Sequence, residues 1–554
     1  MNTRDEYKRW LREATEDGLT LELQAMDDAF VEDAFYRDLA FGTGGLRGII
    51  GAGTNRMNVY TVARASQGLA NYLLSRFSDP SVAIAYDSRH KSDLFSRIAA
   101  EVFVANGIHV WRYENLMPTP CLSYAVRILK CSAGIVITAS HNPAKYNGYK
   151  VYGADGCQIT TEAAAAIQTE IQRVDVFRDV KRVSADAAFH SGLLKSIPTS
   201  VYDSYIVDVQ KQSVLFGDSV QHDISIVYSP LNGTGLNPVT RVLDDAGFTN
   251  ITVVKEQQNP DGDFPTCPYP NPEIREAMAL GLEYCSRFGA DLLLATDPDA
   301  DRCGVAVKSG PDKFRLLTGN EVGLLLLDFI CSQRKKHGKM PPKPVFIKTI
   351  VTMDLAEKIA EHYGCRTINV LTGFKFIGEQ IGYLEKNGRE SDYIFGFEES
   401  YGYLTGGYVR DKDAVNAALL ICEMFAYYKT RGVSLLEKLS ELFDTYGFSL
   451  NTLHSYECNG AKGLMRMAKI MCNFRSGVEE IAGQKVIRME DYSRGLNGLP
   501  VSDVIKYTLD NASVVIRPSG TEPKLKAYIS VTAKNREMAE KKEKQIAEYL
   551  ERFL

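Results

Sequence analysis

Three times along this 554-residue chain, an apolar strand-like run gives way to a short polar loop dense in reactive side chains. Ala133 to Ile137 leads into Thr138-Ala139-Ser140-His141-Asn142-Pro143. Asp291 to Ala295 is followed by Asp297-Pro298-Asp299-Ala300-Asp301, and Tyr393 to Phe397 opens into Glu398-Glu399-Ser400-Tyr401-Gly402. Strand and helix signals alternate around each loop. Ser81 to Tyr86 reads as a buried strand, Ser92 to Asn106 as an amphipathic helix stopped by Gly107, Ile108 to Tyr113 as a strand and Thr119 to Lys130 as a helix. The order restarts at the strand Ile224 to Tyr228, with the turn Pro230-Leu231-Asn232-Gly233, a helix near Pro238 to Ala246 and a strand at Ile251 to Val254. It restarts again with the helix Asn320 to Arg334 and the strands Val345 to Lys348 and Thr367 to Leu371. This βαβ order places the chain in the α/β class. Ligands of open α/β sheets gather beyond the carboxyl ends of strands, so the three loops are candidates for one shared cleft.

From about Val433 the order changes to helix, strands and a final charged helix, Asn535 to Leu554. Within it Val514-Val515-Ile516 runs into a fourth loop, Arg517-Pro518-Ser519-Gly520-Thr521-Glu522-Pro523. At about 150 residues per domain the length calls for three to four domains. The polar Ser184 to Ser200 stretch, the Ser309-Gly310-Pro311 break and the Thr430-Arg431-Gly432 turn divide the chain into 1–195, 196–311, 312–432 and 433–554, each with one loop.

Composition narrows the function classes. The chain is 45% hydrophobic and 24% charged, with no apolar run long enough to cross a bilayer. Its first residues lead into a charged helical stretch without the apolar centre of a secretory signal, so a cytoplasmic, non-membrane protein is expected. Eleven cysteines, odd in number and nowhere spaced as CxxC, argue against a disulfide framework and a zinc ribbon. A formal net charge of -5 offers no general field for nucleic acid. An anionic small molecule needs a local basic pocket instead. Oligomeric state is not fixed by any of these features.

Asp297, Asp299 and Asp301 alternate; extended, they would share one side, and Pro298 can splay them around a hard cation such as magnesium. An acidic surface turn is the alternative. Ser140 sits in a nucleophile-like loop that lacks the GxSxG elbow of an α/β-hydrolase, and its neighbour His141 is either a base or a loop hydrogen-bonder. A serine carrying a phosphoryl group beside a cation needs no triad. Arg517, Ser519, Gly520 and Thr521, with Lys524 and Lys526 behind them, suit a phosphate dianion as readily as they would make a solvated turn. Gly42 to Gly48 is neither a Walker A loop nor GxGxxG, and reads as a phosphate cradle or a structural glycine turn. Glu398 and Ser400, flanking Glu399, could project together from an extended strand end onto vicinal sugar hydroxyls, or simply be solvated.

Taken together and in order, the loop at Ser140, the aspartate loop with Arg302, the Glu398-Glu399-Ser400 loop and the Arg517 to Pro523 loop resemble the four signature loops of the α-D-phosphohexomutase family, over nearly the whole chain. The resemblance implies a heart-shaped architecture of three related α/β domains and a smaller C-terminal α+β domain. It also implies that phospho-Ser140 donates to a sugar monophosphate, that a bound glucose 1,6-bisphosphate turns over in the cleft, and that its other phosphate returns to Ser140, interconverting glucose 1-phosphate and glucose 6-phosphate. By the same resemblance Mg2+ is held by Asp297, Asp299, Asp301 and an oxygen on Ser140. Lys150 matches a lysine given a general acid/base role, with a plain surface cation as the alternative. Arg47 and Arg302 match basic residues facing the serine phosphate. Phe41 to Gly48 and Leu371-Thr372-Gly373-Phe374-Lys375 look most like the glucose-phosphate branch and its pentose-phosphate relatives. Thr372, Gly373 and Lys375, together with Lys412 in the Arg410 to Asp413 stretch, are expected to help choose the sugar. Pentose or mannose phosphates are alternative substrates. A catalytically silent sugar-phosphate binding protein is the different-class alternative, but it would not need Ser140 and three aspartates. An alkaline-phosphatase-like hydrolase would be expected to show histidine metal pairs, and neither HxxxH nor HExxH occurs.

Overall fold

The computed structural model of the chain describes residues 2–42, 44–311, 313–458, 460–496, 498–519 and 524–553. Four main sheets follow one another along it. The first comprises β1 (Gly45–Ile49), β2 (Ser81–Tyr86), β3 (His109–Arg112), β4 (Ala133–Ile137), β5 (Tyr146–Gly153) and β6 (Leu194–Ser196), in the order β1-β5-β4-β2-β3-β6. Strands β4, β2, β3 and β6 are parallel, β5 returns antiparallel beside β4, and β1 pairs antiparallel with β5 at the edge. Strand β2 shows why the sheet is covered on both faces. Its Val82, Ile84 and Tyr86 join one core with the helices Val59–Leu74 and Ser92–Ala105, while Ala83 and Ala85 join another with the helix Thr119–Ile128. An alternating strand with apolar residues on both faces is stable only between two layers.

The second sheet has β7 (Ile226–Ser229), β8 (Ile251–Val253), β9 (Leu292–Thr296), β10 (Cys303–Gly310) and β11 (Lys313–Leu317), in the order β11-β10-β9-β7-β8. Ser309 and Gly310, expected at a domain break, end β10, and Pro311 lies just before its hairpin partner β11, so both strands belong to this sheet. The third has β12 (Val345–Thr349), β13 (Arg366–Val370), β14 (Tyr393–Glu398) and β15 (Gly402–Leu404), in the order β13-β12-β14-β15. Beyond the turn at Thr430 to Gly432, the helix Leu435–Tyr446 packs on Gly319–Lys336 and Leu355–His362, the helices of this third unit.

The fourth sheet is antiparallel, β16 (Phe448–Glu457), β19 (Arg488–Asp491), β20 (Ile505–Leu509), β21 (Ala512–Pro518) and β22 (Lys524–Ala533), in the order β16-β22-β21-β20-β19, with a short hairpin of β17 (Glu480–Ile481) and β18 (Gln484–Lys485). The helices Gly460–Arg475 and Arg536–Glu551 complete this α+β unit. No described helix is long and apolar enough to cross a membrane.

A device repeats in the three α/β units. In each, a parallel strand is followed by a tight loop and an immediately adjacent antiparallel strand: β4 to β5, β9 to β10, β14 to β15. Each loop contains a non-glycine residue in the left-handed region, Ser140 at φ 52, Ala300 at φ 48 and Tyr401 at φ 62. Such residues are held at a cost of about 1–3 kcal/mol, so the surrounding contacts must fix them.

Candidate active site

Strand β4 is buried throughout and delivers Ser140 to a position only 3% exposed. The Ser140 amide donates to Thr138 Oγ1 at 2.8 Å, and its Oγ donates to Asp297 Oδ2 at 2.7 Å. His141 Nδ1 lies 3.2 Å from the same Oγ. Burial first, then the nearby Arg302 and Arg47 charges, hold the His141 imidazole well below its usual range, so it is neutral. The loop is fixed from outside by Arg89, whose side chain is fully buried. Its guanidinium donates to the carbonyls of Pro143 at 2.9 Å and Tyr146 at 3.1 Å, and also to those of Ser140 and Asn142. On the far side, a Cβ on Gly148 would lie 2.4 Å from the Thr138 carbonyl, so only glycine lets β5 pass this close.

The three aspartates are brought together differently from the extended expectation. Ala300 takes its left-handed conformation, its amide bonds back to the Asp297 carbonyl at 2.9 Å, and Asp297 Oδ1 receives the amides of Asp301 at 3.1 Å and Arg302 at 3.0 Å. A turn organised by Asp297, rather than strand alternation, makes the carboxylates converge. All three are completely buried, and one oxygen from each lies within 4.8 Å of the others. Asp299 Oδ1 and Asp301 Oδ1 receive no hydrogen bond. Burial, then Asp301 and Asp299, push the Asp297 carboxyl well above the usual range, whereas Lys150 and Lys412 hold Asp299 down against its own burial. Buried acids that repel one another and keep unused oxygens fit a hard cation.

Cations surround this cluster. Lys150, on β5 opposite Val136, places Nζ 2.8 Å from Asp299 Oδ2 and 3.5 Å from Asp301 Oδ2. Lys412, expected to act in sugar choice, contacts the aspartate cluster itself, with Nζ 2.8 Å from Asp301 Oδ2. Against burial, the aspartates raise both ammonium groups above their usual range. Arg302 Nε is 4.0 Å from both Asp297 Oδ2 and Asp301 Oδ1, and its other end pairs with Glu273. Arg47 Nη1 donates to Asn142 Oδ1 at 3.0 Å, on the edge of the Ser140 loop. Thr119 also contributes, its Oγ1 donating to Asp299 Oδ2 at 2.8 Å.

The sugar loop also departs from the extended reading. Strand β14 ends at Glu398, and Ser400 falls in the turn before Tyr401, so the two side chains do not project from one strand. Glu398 Oε1 instead accepts the Gly373 amide at 2.9 Å, which joins this loop to Thr372, Gly373 and Lys375. Burial pushes the Glu398 carboxyl up to about 7 and lowers the Lys375 ammonium to about 8. Thr372 Oγ1 is buried without a hydrogen bond.

Arg517, near the end of β21, bonds through Nε to the Pro518 carbonyl at 3.3 Å, and its charge acts on Glu399. The Ser519 amide closes onto the Lys524 carbonyl at 2.8 Å, at the start of β22. Gly520 and Thr521 lie outside the described residues.

Arg89, Thr119, Asn142 and Glu273 were not among the residues expected from the sequence. The one signal for Arg89 is its place in Asp87-Ser88-Arg89, directly beyond a buried strand, where a charged pair needs a reason to exist.

Comparison with known proteins agrees with this geometry. Residues 38–177, 203–310, 318–446 and 462–548 match, in order, alpha/beta/alpha domains I, II and III and the C-terminal domain of phosphoglucomutase/phosphomannomutase. A phosphoglucomutase of Staphylococcus epidermidis is 36% identical over 535 residues, covering 92% of this chain and 96% of its own. In structure, the Paramecium parafusin in its open form superposes with a TM-score of 0.69 at 18% identity, covering 94% of this chain and 96% of that one. An Aspergillus fumigatus N-acetylphosphoglucosamine mutase, solved with GlcNAc-6P and magnesium, has a TM-score of 0.51 at 15% identity, covering 94% of this chain and 96% of its own. With all four parts matched in order and a relative this similar along nearly its whole length, the chain belongs to the phosphoglucomutase/phosphomannomutase family.

Proposed function

We propose that this protein interconverts glucose 1-phosphate and glucose 6-phosphate, with Ser140 as phosphoryl carrier and glucose 1,6-bisphosphate as the bound intermediate. The observation that carries this reading is the 2.7 Å contact of Ser140 Oγ with Asp297, inside a buried group of three carboxylates ringed by Lys150, Lys412 and Arg302. The curated relative bears the matching activity in its name.

The donor set is oxygen only and its orphaned carboxylate oxygens are buried, which fits magnesium. Asp297, Asp299, Asp301 and an oxygen on Ser140 would hold the ion, whose charge stabilises the transferring phosphoryl group. The chain's own groups do the rest. In the forward half, the bond from phosphorus to Ser140 Oγ breaks and a bond to the sugar hydroxyl oxygen forms. Protonated Lys150 donates one proton to the departing Ser140 oxygen, and the one proton released by the sugar hydroxyl restores Lys150, so the step is neutral in protons. Arg47 and Arg302 balance the phosphoryl charge near Ser140. Glu398 and Ser400 bind sugar hydroxyls, while Thr372, Gly373 and Lys375 shape the choice of sugar. Arg517, Ser519, Gly520, Thr521 and Lys524 hold the phosphate that is not being transferred, for either orientation of the bisphosphate. Neutral His141 orients the Ser140 hydroxyl.

The test is intact-mass measurement combined with assays on glucose, mannose, ribose and glucosamine 1-phosphates. Native enzyme should carry an adduct of about 80 Da, one phosphoryl group, which Ser140→Ala lacks along with all turnover. Glucose 1-phosphate should give the highest kcat/KM. Full activity in Ser140→Ala would end this reading, and a higher kcat/KM for ribose or mannose 1-phosphate would reassign the substrate.

A further inference from the structure

Ten described cysteines are buried and Cys472 is exposed. Two of the buried ones meet. Cys331 lies on the inner face of the helix Gly319–Lys336, and Cys365 follows Gly364 at the entrance to β13, with its amide fixed to the Ala360 carbonyl at 2.8 Å. Their sulfur atoms are 3.8 Å apart, close enough to share a hydrogen. Cys331 is fully enclosed, whereas Cys365 retains 7% exposure, so Cys365 is the member of the pair nearer to solvent. The Cys331 hydrogen bond holds the Cys365 thiol below its usual range despite burial, while Cys121, Cys131, Cys157, Cys267, Cys285, Cys303, Cys331 and Cys422 are all pushed up. Arg334, one helical turn beyond Cys331, adds a positive charge whose Nε has no hydrogen bond, and Asp328 opposes it from the turn before.

We propose that Cys331 and Cys365 form an oxidant-sensitive dithiol site, at which a hydroperoxide converts the pair to an intramolecular disulfide. The Cys365 sulfur, as thiolate, attacks the peroxide; the O–O bond breaks, one oxygen stays on Cys365 as a sulfenic acid and the other leaves, protonated, as water or an alcohol. The Cys331 sulfur then attacks the Cys365 sulfur. A sulfur–sulfur bond forms, and the sulfenic hydroxyl departs as water with the Cys331 proton. The pair loses two protons and two electrons, and the peroxide gains them.

The location decides the consequence. Cys365 is separated from Thr372 to Lys375 by the whole of β13, and Cys331 from Gly319 by about 18 Å of helix. The bond therefore ties the ends of two elements remote from the sugar loops and stabilises the third unit without filling the cleft.

The experiment treats the intact enzyme with hydrogen peroxide at low excess, caps remaining thiols under denaturing conditions and maps peptides without reduction. The expected result is a Cys331–Cys365 linked peptide, with a loss of about 2 Da for the two hydrogens, formed before Cys472 is modified. The thermal midpoint should rise by about a few degrees and return with dithiothreitol. Cys331→Ser, whose hydroxyl keeps a hydrogen-bond donor beside Cys365, should instead leave a sulfenic acid on Cys365, trapped by dimedone; Cys331→Thr serves if the serine variant does not fold. If exposure alone governs reactivity, only Cys472 reacts while Cys331 and Cys365 are recovered as capped thiols, and the proposal is overturned.

Discussion

Arg89, with no solvent contact on its side chain, donates to the backbone carbonyl of Ser140, the residue held at φ 52. The same guanidinium takes the carbonyls of Asn142, Pro143 and Tyr146, so most of the donors of one planar fork are spent on seven residues of loop. The left-handed conformation of Ser140 and the clamp that sustains it are thus one arrangement.

Arg89→Lys should therefore lower kcat about ten- to hundred-fold with little change in KM, because a point ammonium cannot replace a fork whose charge-assisted bonds are worth about 1.5–3 kcal/mol each. Stability should fall as well. Kinetics taken well below the variant's thermal midpoint separate the two effects; an unchanged kcat there would show that the clamp supports the fold alone.

Asp299→Ala should abolish both turnover and the stabilisation of the protein by magnesium. In the wild type, a ligand present at a hundred times its Kd raises stability by about 2.7 kcal/mol, read as an upward shift in the thermal midpoint. Chelator-treated wild type should lose activity and regain it with magnesium. Recovery without any divalent cation would contradict the assignment of the three aspartates.

Glu398 gives a pH signature. Burial raises its carboxyl from an ordinary 4.5 to about 7, so between those values the folded protein holds a proton that the unfolded chain releases. Its contribution to stability is complete below 4.5 and is lost as the pH rises through about 7. For binding, the sign is opposite: the ionised carboxylate is the better acceptor for sugar hydroxyls, so KM should fall as pH rises through about 7. The substrate phosphate also titrates near 6, and comparison with Glu398→Gln removes that shared part. The variant should lose the enzyme's own step, and identical KM profiles would remove Glu398 from sugar binding.

Much of this site is legible in the sequence because its reactive groups follow buried strands. Val and Ile in β4, and Leu in β9, announce strands whose ends carry Ser140 and the aspartates. What escapes is long-range. Arg89 reaches partners 51 to 57 residues away, and nothing local to Asp87-Ser88-Arg89 names them. Lys412 reads as one charge in a charged stretch until the third unit folds against Asp301. The antiparallel returns β5 and β15 contain Asn147-Gly148 and Gly402, residues that weaken a strand signal; Gly148 is required where the Thr138 backbone passes closely, and a Cβ on Gly402 would meet the Lys412 side chain. The convergence of the aspartates depends on a left-handed Ala300, a conformation alanine seldom adopts and propensity does not suggest.

Arg517 provides the last test, because one loop is asked to serve two orientations of the same intermediate. Its guanidinium charge acts on Glu399, and its Nε is held by the Pro518 carbonyl at 3.3 Å. A bidentate arginine contact to phosphate is worth about 1.5–3 kcal/mol, or about ten- to hundred-fold in binding, and lysine cannot reproduce its geometry. Arg517→Lys should raise KM for glucose 1-phosphate and, in the reverse direction, for glucose 6-phosphate. Ser140 should still be phosphorylated by glucose 1,6-bisphosphate at high concentration, since its own loop is untouched. The pair of Michaelis constants decides between the possibilities. If only one is raised, the loop holds a single orientation and another cation must serve the second; if neither moves, Arg517 is a turn residue and the phosphate is held elsewhere.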